Sequence, residues 1–355
     1  MDLDLYSVLR ATPMTMRNDA PPDDALAPQP GPAGRYLVTG GCGFIGRHLV
    51  GALLAGGARV TVLDDLSSGR RAALPEDAEL VVGDVADAAL LASLARGADG
   101  IVHLAAIASV ARCSEDWSAS HATNMGGTVA VLEAARGAGG IPVAFASSAA
   151  IYGTAHALPL TEDAPAHPLS PYGIDKRGGE MHAGAAAALF GVPVTALRFF
   201  NVYGPGQEPS SPYAGVISIF VARALAGAPI TVHGDGGQSR DFVYVADVVD
   251  ALAAALALMG ADRAAGHAAQ CRILNVCTGR ATTLAAILSA LEAILGRPLD
   301  VTHAPAREGD IRHSLGDPAR MRAVLGVTAR VGLEDGLTAL LASLRSASQH
   351  TPASP

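Results

Sequence analysis

The chain has 355 residues, half of them hydrophobic, 16% charged, with a net charge of −8. That length holds one large or two modest domains around a substantial core. The acidic balance argues against a nucleic-acid or anionic-membrane surface, and no stretch has the uninterrupted apolar length of a membrane span.

Residues 1–34 read as a disordered tail, rich towards its end in Pro, Asp, Ala and Gly. The tail lacks a basic start followed by an apolar run, so it does not read as a signal peptide. Residues 347–355 read as a flexible C-terminus. From Arg35 short apolar runs alternate with amphipathic stretches. The strands expected are Tyr36–Thr39, Arg59–Leu63, Glu79–Val82, Gly100–Leu104, Val143–Ser147 and Val194–Phe199. Between them helices are expected over Ile45–Ala55, Ala88–Arg96, Ala119–Ala138 and Tyr172–Phe190. Strands apolar on both faces, alternating with helices, predict an α/β fold: a doubly wound parallel sheet of Rossmann type. After Phe200 the pattern changes. Gly and Pro concentrate at Tyr203–Pro212 and His233–Gln238. Shorter helices follow over Gly215–Ala226, Ala246–Met259, Thr283–Leu295 and Leu333–Ser343. The expected division is a dinucleotide domain over 35–200 and a smaller mixed α/β lobe over 201–346. Some later segments are free to return to the first domain.

The first strand runs into Gly40-Gly41-Cys42-Gly43-Phe44-Ile45-Gly46, with a helix following. Glycines there allow a tight turn and let backbone N–H groups approach a pyrophosphate at the helix N-terminus. A glycine triplet alone is weak evidence; its strand–turn–helix context strengthens it. The second strand ends at Asp64-Asp65, where a carboxylate accepts from a ribose 2′-hydroxyl and repels a 2′-phosphate, favouring NAD over NADP. Arg70 and Arg71 nearby are a basic pair that could hold such a phosphate, though surface solvation is the preferred reading. Gly83-Asp84-Val85 ends the third strand. Asp84 there suits either an adenine contact or, with Asp87, a helix N-cap. The four cysteines, Cys42, Cys113, Cys271 and Cys277, show no Cys-x-x-Cys spacing and read as reduced thiols of a cytoplasmic protein without structural zinc.

Of 25 basic residues only Lys176 is a lysine, and it lies four positions after Tyr172. That spacing puts phenol and ammonium on one helix face. A nearby cation favours the phenolate, which predicts a lowered tyrosine pKa and a proton-transfer base near neutral pH. Ser147-Ser148, at the end of the fifth strand, completes a Ser–Tyr–Lys constellation, with Ala149-Ala150 immediately after.

These motifs, with His103-Leu104-Ala105-Ala106 and Arg198-Phe199-Phe200-Asn201-Val202-Tyr203-Gly204-Pro205, occur in an order that resembles the extended short-chain dehydrogenases/reductases of the nucleotide-sugar epimerase/dehydratase type. The resemblance spans about residues 35–345. It implies Tyr172 as catalytic base, Lys176 on the nicotinamide ribose, and Ser148 against the sugar hydroxyl. It implies a tightly held NAD, regenerated each turnover, lined by Gly40, Gly43, Phe44, Ile45, Gly46, Asp64, Asp84, Val85, Leu104, Ala105, Ala106 and Asn124. On the substrate side it implies Ser109, Asn201, Ala214, Arg240, Arg307, Asp310 and Ser314, the arginines gripping the diphosphate of a UDP-sugar. Dehydratases and nucleotide-glucuronate decarboxylases of this family carry acidic residues after the strand-end Ser/Thr. Ala149 and Ala150 transfer no proton, which leaves a 4-epimerase working through a transient 4-keto sugar. A small Ser314 leaves room for an N-acetyl group, so UDP-GlcNAc/UDP-GalNAc stand beside UDP-glucose/UDP-galactose. Family members are often homodimers. The alternatives are a UDP-glucuronate 4-epimerase, a dehydratase or reductase of the same family, a dehydrogenase exchanging free NAD(P)H, and a non-catalytic NAD-binding sensor.

Overall fold

The computed structural model describes residues 26–154, 157–209, 215–306 and 311–350, with the side chains of 347–350 excluded. Seven parallel strands form the central sheet, in the order β10-β6-β5-β4-β1-β2-β3. They are β1 (Arg35–Thr39), β2 (Arg59–Asp64), β3 (Glu79–Val82), β4 (Gly100–His103), β5 (Val143–Ser148), β6 (Val194–Phe199) and β10 (Cys271–Val276). The first six follow the 3-2-1-4-5-6 order, whose reversal between β1 and β4 makes a crevice at the carboxyl ends of those strands. The six expected strands appear within a residue or so of their expected limits. β10 is the later segment that returns, pairing with β6 from Cys271 opposite Val194.

Helices cover both faces because each strand is apolar on both. On one side α1 (Phe44–Ala55) packs on a helix spanning Val245–Ala264. There Leu49, Leu53, Val248, Leu252 and Leu256 bury against Val38, Val62 and Leu274. On the other side α2 (Ala88–Ala95), α5 (Gly127–Gly137) and α6 (Pro171–Phe190) bury Leu91, Val131 and Ala183 against Leu37, Ile101 and Val143. Ser170 starts α6 by accepting from the Gly173 N–H, and Gly191, left-handed at φ 68°, ends it.

Two expectations are refined. The helix expected over Ala119–Ala138 runs unbroken from Trp117 to Gly137 but is not α-helical throughout: α4 (Trp117–His121) passes through a π-helical segment, Ala122–Gly126, into α5. The wider turn carries Asn124 inward, where its amide bonds the Ile107 backbone. A short helix, α3 (Val110–Glu115), precedes α4. The helix expected as a short Ala246–Met259 spans 20 residues, as many as α6. It belongs to the main sheet's covering layer, and its buried residues are apolar apart from Asp247 and Asp250 in its first turns, which accept from the Arg330 N–H and the Gln29 N–H.

The smaller part combines β7 (Asn201–Tyr203), β9 (Ser239–Tyr244) and β11 (Ala281–Thr283) in one sheet, and β8 (Ile230–His233) with β12 (Val301–Ala304) in another. Numbering the remaining helices in chain order gives α7 (Val216–Ala226), α8 (Val245–Ala264), α9 (Leu284–Leu295), α10 (Ala319–Leu325) and α11 (Leu333–His350). Ile217, Phe220, Ile287, Leu291 and Leu340 make its core.

Residues 26–34 were assigned to the tail on composition. They are held against the fold: the Gln29 N–H donates to Asp250 at 2.7 Å and the Gly31 N–H to the Ala52 carbonyl at 2.8 Å. The rest of that stretch, and 351–355, lie outside the described residues. All four cysteines are free. Among the described residues no helix is long and apolar enough to cross a membrane, and no cluster of side chains suits a metal ion.

Candidate active site

β1 delivers the chain to Gly40 at φ +72°, where a Cβ would lie 2.6 Å from the Ala105 amide nitrogen. Gly46 is equally constrained, since its Cβ would stand 2.3 Å from the Gly40 carbonyl. These contacts fold the glycine loop tightly against the end of β4. Gly43 caps α1 with no side-chain hydrogen bond, and no acidic residue occupies the first turn. The helix N-terminus is therefore open to an anion, the arrangement a dinucleotide diphosphate requires. At the end of β2 the buried Asp64 accepts from the Cys42 N–H and the Leu66 N–H, each at 2.9 Å. Burial raises its pKa, and the two amides oppose the rise. Asp84 accepts from the Ala86 N–H at 2.8 Å, while Asp87 caps α2 through the Leu90 N–H. The cap is thus Asp87, and Asp84 closes the turn before it. Val85 is buried behind, and Leu104, Ala105 and Ala106 follow β4. The glycine-loop residues Gly40, Gly43, Phe44, Ile45 and Gly46, with Asp64, Asp84 and Leu104–Ala106, thus gather at the carboxyl ends of β1 to β4. Asn124, from the π-helical segment, is bonded to Ile107 in the stretch that follows β4. This edge fits NAD.

The next strand carries the expected serine pair. β5 ends at Ser148, whose Oγ accepts from the Ala150 N–H at 3.1 Å. Gly173 lets α6 come close, since a Cβ there would sit 2.8 Å from the Ala150 carbonyl oxygen. Tyr172 lies in the first turn of α6, where the Ser148 hydroxyl favours its phenolate. Lys176 is 3% exposed, its Nζ 5.7 Å from the Tyr172 ring centre and 5.1 Å from that of Phe145. His103, fully enclosed, is stacked on Phe145 and bonded to Thr39 and Thr128. Burial pushes it down to about 3, so it is neutral.

The expected lowering of the Tyr172 pKa is corrected. Burial pushes the phenol up to about 12, the Ser148 hydrogen bond opposing and the Cys113 thiol adding. The same burial pulls Lys176 down to about 8, with Asp175 and Cys113 resisting. Desolvation penalises both charged forms, and at this separation it outweighs what the ammonium offers the phenolate. Without ligand, Tyr172 is a neutral phenol at neutral pH.

On the substrate side, Ser109 caps α3 through the Arg112 N–H, and Asn201 opens β7, exposed. In β9, Arg240 Nη1 donates to the Ser239 and Arg312 carbonyls. The Ser314 N–H donates to the Ser239 carbonyl at 3.1 Å, which brings Arg240 and Ser314 together. Ala214, Arg307 and Asp310 lie outside the described residues. The loop after β7 reaches back over α1. Arg47 and His48 contact the Pro205 carbonyl at 3.3 and 2.9 Å, and Arg70 pairs with Glu208 at 2.6 Å.

Sequence reasoning missed the cluster beneath the end of β5. Glu180, one turn beyond Lys176, accepts from Ser147 Oγ at 2.7 Å, Arg198 Nε at 2.7 Å, Arg198 Nη2 at 2.8 Å and Arg177 Nη1 at 3.0 Å. Arg198 Nη1 reaches the Tyr152 hydroxyl at 2.8 Å, and that hydroxyl donates to Asn275 at 2.6 Å. The available signal was Tyr172, Lys176 and Glu180 recurring every fourth residue on one helix face.

A family model described as the NAD dependent epimerase/dehydratase family matches residues 36–276. A UDP-glucose 4-epimerase of Mycolicibacterium smegmatis is 39% identical over 322 residues, covering 89% of this chain and 100% of that protein. The crystal structure of a UDP-glucose 4-epimerase from Thermotoga maritima with UDP-glucose superposes with a TM-score of 0.81 at 34% identity, over 88% of this chain and 99% of that one. A UDP-N-acetylglucosamine 4-epimerase from Methanobrevibacter ruminantium, in complex with UDP-N-acetylmuramic acid, gives 0.82 at 31% identity, over 89% and 99%.

Proposed function

The chain belongs to the NAD dependent epimerase/dehydratase family, and on that footing we propose that it is a 4-epimerase of UDP-hexoses. The observation that carries this reading is Ser148 at the end of β5 beside Tyr172, with the buried Lys176 one turn further along α6, and the methyl groups of Ala149 and Ala150 directly after Ser148. One proton shuttle stands at the strand end, and the next two positions have nothing with which to eliminate water. A reaction that inverts one carbinol needs a proton removed and returned, and no more.

Gly40, Gly43 and Gly46 with the α1 N-terminus would hold the diphosphate of NAD, Asp64 the adenosine ribose, and Asn124 and Lys176 the nicotinamide ribose. Bound NAD supplies the electron acceptor for oxidation at C4 and a positive charge that favours the phenolate. Tyr172 takes the proton of the C4 hydroxyl while Ser148 orients that oxygen. The 4-keto sugar turns within the pocket; the hydride taken up by the bound cofactor would return to its other face, and Tyr172 gives its proton back to the alkoxide so formed. Lys176 steadies the charge on Tyr172 during both transfers. Arg240 and Arg307, with Asp310, anchor the UDP so that the sugar alone moves.

Ser314 supports acceptance of UDP-GlcNAc and UDP-GalNAc beside UDP-glucose and UDP-galactose, because a small side chain leaves space at the C2 substituent. A homodimer is part of the proposal. Ile174, Met181 and Leu189 expose an apolar stripe at i, i+7 and i+15 of α6, and Trp117 of α4 is 59% exposed. Sedimentation at micromolar concentration tests it, and a monomer would refute it. The four free thiols suit a reducing, cytoplasmic setting.

The deciding experiment incubates the purified protein, without added cofactor, with UDP-galactose, UDP-GalNAc and UDP-glucuronate in parallel, and separates the products by chromatography. Conversion of UDP-galactose to UDP-glucose by protein that carries NAD through purification is the expected result. A stoichiometric need for added NAD would sink the epimerase reading. Ser314→Tyr is expected to impair the acetylated pair selectively; equal losses on UDP-galactose and UDP-GalNAc would remove the role given to Ser314.

A further inference from the structure

We propose that Glu180, locked by Arg198, is a positioning residue for the proton-transfer pair. It holds Ser147, and through the next peptide Ser148, at a fixed distance from α6. The proposal rests on the reading of Ser148 and Tyr172 given above.

Glu180 extends the face that carries Tyr172 and Lys176 by one turn, so it acts on the helix that bears the base. Its side chain is fully buried and that of Arg198 is 3% exposed. The carboxylate is saturated: Ser147 and Arg198 Nε on one oxygen, Arg198 Nη2 and Arg177 on the other. Arg198 stands opposite Ser147 in the β5–β6 register, and Phe199 opposite Ser148. The bidentate pair therefore ties three elements, β5, β6 and α6, at the level where Ser148 leaves the strand. Arg198 is held in turn by the Tyr152 hydroxyl and by the Glu162 carbonyl at 3.0 Å. The Asn275 backbone N–H donates to the Glu162 carboxylate at 2.8 Å, which closes the network onto β10.

A buried ion pair is often no more stabilising than apolar residues of the same volume. Its distinctive property is directional: two parallel N–H···O bonds admit little sliding or rotation. A proton transfer between Ser148, Tyr172 and a sugar oxygen depends on such fixing, since a displacement of about 1 Å lowers the rate by roughly a hundredfold. The Ser147 hydroxyl is the point where the clamp grips the catalytic strand.

The test is a double-mutant cycle on the full-length protein with its bound NAD, scored on UDP-galactose epimerisation. Ser147→Ala removes one hydroxyl from a strand otherwise intact. It is expected to lower kcat roughly tenfold with KM within twofold. Ser148→Ala is expected to lower kcat on the order of a hundredfold. In the Ser148→Ala background Ser147→Ala is expected to cost nothing further, because its effect passes through Ser148. The same tenfold loss in both backgrounds overturns the proposal, and so does an unchanged kcat in Ser147→Ala beside an impaired Ser148→Ala; neither result touches the 4-epimerase reading. A harmless Ser148→Ala overturns the proton-transfer pair and the positioning role together.

Discussion

Lys176 and Glu180 lie one turn apart on α6, both almost completely buried, and they are provided for in opposite ways. Glu180 has four hydrogen bonds and a bidentate guanidinium. Lys176 rests against the rings of Phe145 and Tyr172, with burial pulling its pKa down to about 8. A charge removed from water needs a partner or loses its charge. Glu180 is in its final state without ligand. Lys176 and Tyr172, pushed in opposite directions by one desolvated site, are completed by what binds there. The saturated pair is structurally complete, and the unsaturated pair is where the proposed proton transfer would take place.

The comparison breaks most directly at Tyr172. Tyr172→Phe should lower turnover about a thousandfold while the protein keeps its NAD and its melting temperature. Near-normal turnover would remove Tyr172 as the base. Next in size is the frame. Glu180→Leu alone should destabilise the protein by about 3–5 kcal/mol in urea unfolding, because it strands the Arg198 charge. Glu180→Leu with Arg198→Met should recover much of that loss, but not the turnover. If the single variant is as stable as wild type, the carboxylate is not what neutralises Arg198.

A smaller effect concerns Lys176 in NAD-free protein. Its folded pKa, about 8, lies below the unfolded value of 10.5, so between these values the unfolded chain binds more protons and stability rises with pH. Below about pH 8 the buried charge costs on the order of 3 kcal/mol. Lys176→Met should therefore stabilise the apoprotein at pH 7, with the advantage shrinking by pH 9.5; a constant advantage would contradict the buried charge. The smallest effect belongs to the surface. Arg70, whose side chain is 70% exposed in its pair with Glu208, should cost less than about 1 kcal/mol as Arg70→Ala.

What could be read in the sequence was local and ordered. The glycine loop, the strand-end serines and the Tyr172–Lys176 spacing each depend on neighbours within a few residues, and alternation of apolar runs places all of them on one sheet edge. The clamp was not legible. Glu180 and Arg198 are 18 residues apart, and Tyr152 and Asn275 are 123 apart. Only the folded sheet brings them together. The π-helical segment was hidden because one extra residue in a turn leaves no mark on the spacing of so short a stretch as Ala122–Gly126. The Tyr172 pKa was misjudged for a related reason. Spacing revealed the cation beside the phenol, whereas the burial that outweighs it belongs to the whole fold. In the smaller part, three-residue strands such as β7 and β11 are too short to show alternation.

With 24 arginines and a single lysine, the chain offers amine-directed reagents one side-chain target, and that target is 3% exposed. An acylating probe added to folded protein meets guanidinium groups, which do not react, and an ammonium it cannot reach. Each modified side-chain amine therefore records one opening of the α6–β5 site. Intact-mass spectrometry of the acylated protein, corrected for the terminal amine, reads that opening without any engineered label. The same scarcity means that attachment to a surface through lysine would select molecules whose active site had already come apart.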